Sequence, residues 1–321
     1  MRRTIITWAA LGALVIGGFA AVVFALNATL YSPAGFVRGY LDALARHDAT
    51  GAMALAGGAE GDPSRELLTA AAMSELADIQ LVASTDEAGG VTRVTYSYTT
   101  GDVAGQTTFD VERRGTLLGL FPTWSFATSP IGVIQLSVLN DREFTANGVA
   151  LTAPAQNTPT PYLVFTPGTY RFAHDSEFLH ADPVPITATR PTGTVTASLA
   201  IRPNQAFIDE VQSQVDDYLD ETCVPQQVLQ PTGCPFGQEI SNRTVSEPAW
   251  SMTEYPEVSL EPGAEPASWL MPPTPGTAHL VVDVQSLFDG SISTFDEDVP
   301  FRASYLVTFL ADGQLLITAQ N

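Results

Sequence analysis

The period of the hydrophobic pattern changes along the chain, and each change predicts a new kind of element. Residues 4–26, TIITWAALGALVIGGFAAVVFAL, carry no charge. As a helix this run would measure about 34 Å, enough to cross a hydrocarbon core of about 30 Å. From Pro33 the period becomes helical. Phe36, Val37, Tyr40, Leu41 and Leu44 form an apolar face, with Arg38, Asp42 and Arg46 on the polar side. Ser32 is placed to cap this helix, with Pro33 at its first position. Gly51 interrupts the pattern, predicting a second short helix over 52–56. Pro63-Ser64-Arg65-Glu66 predicts a third, running to about Met73. The period then falls to two. Residues 79–85, 91–100 and 107–112 read as strands between Gly-containing turns, and 121–126 starts another that holds Trp124. In the second of these, Val94, Tyr96 and Tyr98 alternate with Arg93, Thr95, Ser97 and Thr99, the mark of a half-buried antiparallel strand. Helices followed by a meander of strands predict an α+β fold.

Residues 129–200 show no helical period. Short strands are predicted at 133–139, at 144 with 149–151, and at 162–165, 169–172, 186–189 and 194–199, with a hairpin turn at Asn147-Gly148. The expectation is a small β-sandwich. A helix returns after 204, with Phe207, Ile208, Val211, Val215, Tyr218 and Leu219 on its apolar face and an end near Cys223. A loop to Pro235 and strands at 251–260, 278–287, 301–309 and 315–319 follow, so the helix-then-strands order repeats.

The phrase FVRGYLDALARHDATGAMALA, two short helices and antiparallel strands ending near Trp124 resemble the NTF2-like, cystatin-like cone fold over residues 33–128. The order over 201–321 resembles a second such unit. The layout expected is a tail at 1–3, a transmembrane helix at 4–26, a linker at 27–32, a cone at 33–128, a β-sandwich at 129–200 and a second cone at 201–321. It is similar to exported, membrane-anchored tandem NTF2-like proteins of Gram-positive and actinobacterial envelopes, and QPTGCPF resembles a phrase found in such actinobacterial proteins. The resemblance implies a non-catalytic binding or accessory role toward an envelope protein, a lipid or a wall fragment. Some cones of this family are hydrolases or isomerases that use Asp, His or Tyr inside the cone, and this is the alternative. Tyr40, Tyr96 and Tyr98 are the candidates in the first cone, but no carboxylate shares their faces. The second cone offers no acid–base set.

Charge narrows the picture further. All 14 basic residues are Arg, against 35 acidic residues, for a net charge of −21. That excludes a phosphate-tracking nucleic-acid surface and favours cationic partners. Arg2 and Arg3 precede the apolar run and no basic residue follows until Arg38, which orients the N-terminus to the cytoplasm and 27–321 outside. A cleaved signal peptide is the rival reading. Its apolar core is usually about 7–15 residues, and only Leu26-Asn27-Ala28 weakly fits a cleavage site. Both readings export the rest of the chain. Ala9, Ala13, Gly17, Ala21 and Ala25 recur every four residues, a small-residue stripe through which two such helices could pair, although Ala is abundant throughout. Cys223 and Cys234 are the two cysteines, and in an exported chain they are expected to form a disulfide. His47, His174, His180 and His279 are scattered. His174 and His180, near Asp175, Glu177 and Asp182, read as a solvated loop. Asp289, Asp296, Glu297 and Asp298 read as a solvated acidic turn without EF-hand order. No metal or cofactor is expected.

Overall fold

The computed structural model describes residues 2–58, 63–310 and 313–320, and, within the first helix, the side chains of Trp8 and of residue 11 onward. The fold is mixed α+β with several antiparallel sheets. Two compact units divide the chain, residues 1–174 with 182–199 and residues 175–181 with 200–321.

In the first unit, α1 (Arg2–Ala28) leaves Leu14, Ile16 and Phe24 exposed. Of the small-residue stripe, Ala13, Gly17, Ala21 and Ala25 are likewise uncovered, whereas the side chains of Ala9, Arg2 and Arg3 lie outside the described residues. Helix α2 (Pro33–Ala45) starts as its sequence dictates, with the Ser32 hydroxyl accepting from the Gly35 N–H at 2.9 Å. Val37, Tyr40, Leu41 and Leu44 are buried. The break before α3 (Ala49–Ala56) falls at His47, whose φ is +56°, and not at Gly51. Asp48 caps α3 through the Gly51 N–H at 2.8 Å, and a Cβ at Gly51 would collide with that carboxylate. Gly51 is thus part of the helix start.

The third helix expected after Pro63 does not form. Ser64 instead docks on a strand edge, its N–H donating to Pro161 O (3.0 Å) while its carbonyl accepts from Leu163 N–H (2.8 Å). Leu67 is fully buried, and only a 3₁₀ turn, Ala70–Ala72, is helical there. Long-range backbone pairing has overridden a local start signal.

Strands β1 (Leu76–Asp86), β2 (Val91–Thr100), β3 (Val103–Leu117) and β4 (Phe121–Phe126) form an antiparallel meander in chain order. The core holds Val94, Tyr96, Tyr98, Phe109, Val111 and Phe126 against α2. β3 outruns β2: their pairing stops at Val91↔Glu112, and β3 continues beside β4 alone to Leu117↔Phe121. Next come β5 (Ile131–Leu139), β6 (Glu143–Ala146), β7 (Val149–Thr152), β8 (Pro159–Phe165), β9 (Gly168–Asp175), β10 (Leu179–Ala188) and β11 (Thr194–Ala200). They make two small sheets, β7-β6-β9-β10 and β11-β5-β8. Phe144 packs between them on Tyr162 (5.9 Å) and Phe172 (6.1 Å). The Asn147-Gly148 hairpin forms as expected between β6 and β7.

In the second unit the first residues of β10 pair with β12 (Arg202–Pro203). Helix α4 (Gln205–Tyr218) is capped by Asn204, whose Oδ1 accepts from Phe207 N–H at 3.0 Å, and it continues as a π-helical turn, Leu219–Cys223. Phe207 packs on Trp269 (6.2 Å) and Phe309 (5.2 Å). The sheet contains β13 (Arg243–Thr244), β14 (Ala249–Glu254), β15 (Glu261–Pro262), β16 (Ser268–Gln285), β17 (Ile292–Phe309) and β18 (Leu315–Ala319). β16 and β17 are far longer than their sequence pattern predicts. Pro272, Pro273 and Pro275 fit within β16 because β15 covers only Trp269 and Leu270, and β14 only residues 277–281. The gap spares a missing N–H on that side, and the register shift of β16 against β17 between Met271 and Thr274 accommodates the adjacent Pro272 and Pro273, whose N atoms point to opposite edges. The expected acidic turn at Asp296, Glu297 and Asp298 is therefore a mid-strand segment of β17.

Candidate functional site

Burial dominates the surroundings of the three tyrosines. The Tyr40 hydroxyl donates to Pro130 O (3.2 Å) and Thr166 O (3.0 Å) in full burial. Tyr96 donates to Ala34 O at 2.9 Å. Tyr98 lies 2.6 Å from Thr107 Oγ1, and because Thr107 spends its own proton on Thr189 O (2.7 Å), Tyr98 is the donor. Desolvation raises all three phenols above their ordinary range, Tyr40 most strongly. Each proton is committed to a structural partner. The rings of Tyr40, Phe109 and Phe126 pack together in this core, their centroids 5.2–6.1 Å apart.

Beside this packed core the described residues line a half-open hollow of about 440 Å³. Leu55 and Ala56 of α3, Phe126 of β4, Ile131 and Val133 of β5 and Leu163 of β8 give it an apolar floor. Arg114, Ser125 and Ser129 are polar lining. Arg114 Nε donates to Ser125 Oγ at 2.8 Å and lies 3.4 Å from Glu112. Ser129 Oγ is buried without a hydrogen-bond partner, a state that ordinarily costs free energy unless a ligand or water meets it. An apolar floor with a few convergent polar groups is the usual form of a small-molecule site.

The second unit holds a cluster that sequence reading missed. His279 on β16 lies opposite Asp298 on β17, with Asp296 two residues away on the same face. Its Nδ1 is 2.8 Å from Asp298 Oδ1 and its Nε2 is 2.9 Å from Asp296 Oδ1. The hydrogen bond to Asp298 is the main force raising the His279 pKa above 6.5; partial desolvation opposes it, and Asp296 adds to it. The sign follows from linkage: a raised imidazole pKa adds stability that is complete below the unfolded value and is lost as pH rises through the folded one. His279→Gln is expected to lower the melting temperature near pH 5.5 and to leave it unchanged near pH 9. The loss should be about 0.2–1 kcal/mol, as for other surface ion pairs. Thermal melts at the two pH values check this.

His174 and His180 do not form a solvated loop. His174 is buried on β9, its Nδ1 2.7 Å from Glu143 O, and His180 lies on β10, 3.6 Å from Asp175. Among the described residues, no group of three or more His, Cys, Asp or Glu side chains could hold a metal ion. Cys223 and Cys234 are joined in a disulfide with Cα atoms 5.7 Å apart. The chain matches no protein-family model, no curated protein and no solved structure. The N-terminal apolar helix is long enough to anchor in a membrane or to act as an export signal, and the disulfide is in keeping with export.

Proposed function

We propose that this chain is a non-catalytic, extracytoplasmic binding protein of the cell envelope, held by α1 with residues 27–321 outside the membrane. In this reading α2, α3 and β1–β4 form an NTF2-like cone, and α4 with β13–β18 forms a second. The helix-then-meander order in each supports it. The observation that carries the binding role is the hollow beside the filled first cone, lined by Leu55, Phe126, Ile131, Val133 and Leu163 with Arg114 and Ser125 as its polar groups. Such a site suits a small amphiphile, an acyl chain or lipid fragment, with a polar end toward Arg114 and Ser125.

Native mass spectrometry of the full chain, released from its own membranes in mild detergent, tests this. The wild type is expected to retain a lipid-sized mass. Leu55→Trp, which fills the hollow from α3, is expected to lose it while keeping the wild-type circular dichroism. A bare wild-type chain, or equal retention by a folded Leu55→Trp, would overturn the proposal.

A further inference from the structure

The β3–β4 hairpin projects beyond its own sheet. From Arg113 to Leu117, β3 has no β2 partner, an arm of about 17 Å at strand rise. The tip is Leu117-Leu118-Gly119-Leu120-Phe121, and Leu117, Leu118 and Leu120 are 48, 82 and 44% exposed. Leu118 and Gly119 both have positive φ (53° and 70°) in a turn closed by Leu120 N–H to Leu117 O at 3.1 Å. Turns of this kind favour Asn-Gly, because a bulky residue resists the left-handed region. Here leucine occupies the asparagine position, and it is the most exposed of the three tip leucines.

The tip is tied to the end of α1. Asn27 Nδ2 donates to Leu120 O at 3.0 Å. Tyr31 stacks on Phe121 at 4.4 Å, and Trp124 Nε1 donates to Tyr31 O at 2.8 Å. Tyr and Trp are the residues that gather at the headgroup level of a bilayer, where an amphipathic ring meets both phases. Charge agrees with this placement. A chain with 35 acidic residues has none from 1 to 41 and none from 113 to 140, whereas Arg113 and Arg114 stand at the base of the arm. Arg114 is held on Ser125 (2.8 Å) and Glu112 (3.4 Å), and the Arg113 guanidinium beside it can meet lipid phosphates.

We infer that the β3–β4 tip is a second membrane contact, seated in the outer interface of the same bilayer that α1 crosses and gripping acyl chains with Leu117, Leu118 and Leu120. The inference rests on the anchoring role of α1 proposed above. It gives the first unit two points of attachment and so a fixed stance on the membrane, where a single helix would leave it free to swivel.

Three full-length variants, Val15→Cys, Leu118→Cys and Asp102→Cys, each carry one nitroxide; the native cysteines are bonded to each other and do not label. They are reconstituted in vesicles of equal parts phosphatidylethanolamine and phosphatidylglycerol, and accessibility to oxygen and to a water-soluble nickel chelate is compared. The label at 118 is expected about 5–10 Å below the headgroup phosphates, as for interfacial segments. The label at 15 is expected near the bilayer centre, and that at 102, on the β2–β3 turn at the opposite end of the sheet, in water. A buried label at 15 with an aqueous one at 118 overturns this inference and leaves the anchor standing. An aqueous label at 15 overturns the anchor and this inference with it.

Discussion

Tyr40→Ala is expected to destabilise the first unit by about 3–5 kcal/mol, the range for removing a large aromatic from a core that cannot collapse. Tyr40 is fully buried, and its ring packs on Phe109 and Phe126. Its hydroxyl shares one proton between the carbonyls of Pro130 and Thr166, and so ties α2 to both the start of β5 and the end of β8. Tyr40→Phe separates the two contributions. It keeps the ring and removes the hydrogen bonds, so about 1–2 kcal/mol should be lost. Pro130 O retains the Thr166 N–H and hydroxyl as donors, which holds the cost near the lower figure. Urea unfolding of the full chain in detergent, followed by the near-ultraviolet signal, measures both. Equal losses for Phe and Ala would mean that the hydrogen bonds, and not the ring, secure this core. Alkaline pH should act in the same direction. The phenol pKa is raised in the folded state, so stability is complete below about pH 10 and falls as pH climbs toward the folded value. Tyr162, pushed up to about 12 by desolvation and by Glu66, adds to the alkaline loss.

The placement of Tyr40 was legible because it depends on local signals. Ser32 and Pro33 set the start of α2, and the spacing of Val37, Tyr40, Leu41 and Leu44 set its buried face. Alternation within residues 91–100 likewise put Val94, Tyr96 and Tyr98 inward. Elements that depend on distant partners were not legible. Ser64 lies against β8 because of backbone groups about a hundred residues away, and no helix-start signal reports them. The prolines of β16 look like breaks unless the gap between β14 and β15 is known. The His279 cluster needs the register of two long strands: Asp296 and Asp298 share a face by simple alternation, but only pairing brings that face to His279. The hollow draws on α3, β4, β5 and β8, so its lining could not be assembled from any one stretch. The apolar hairpin tip was hidden because the acidic and basic residues 112–114 read as the end of a strand that in fact runs on to Leu117.

Replacing both Cys223 and Cys234 with serine is expected to cost about 3 kcal/mol, the chain-entropy value for a loop of this length. The separation is 11 residues, and side-chain hydrogen bonds also close the loop in the folded protein. Gln226 alone makes four contacts across it, donating to Thr222 O (3.0 Å), Thr232 O (3.1 Å) and Cys234 Sγ (3.6 Å) and accepting from Thr232 N–H (2.8 Å). Tyr218 reaches Gly233 O and Trp250 reaches Val228 O, each at 2.8 Å. The native loop should therefore keep its conformation without the bond, and the loss should fall on the unfolded side of the equilibrium. Two measurements separate these sides. Denaturant unfolding of the second unit should show the full loss, while the amide spectrum of residues 219–236 under native conditions should move little. Adding Gln226→Ala to the serine pair should then cost more than it does in the oxidised protein, because the side chain becomes the main closure of the loop. Additive losses would show that the bond and Gln226 hold the loop independently. A loss well below about 1 kcal/mol for the serine pair would place the restraint in the hydrogen bonds, and the disulfide would then serve kinetic more than equilibrium stability.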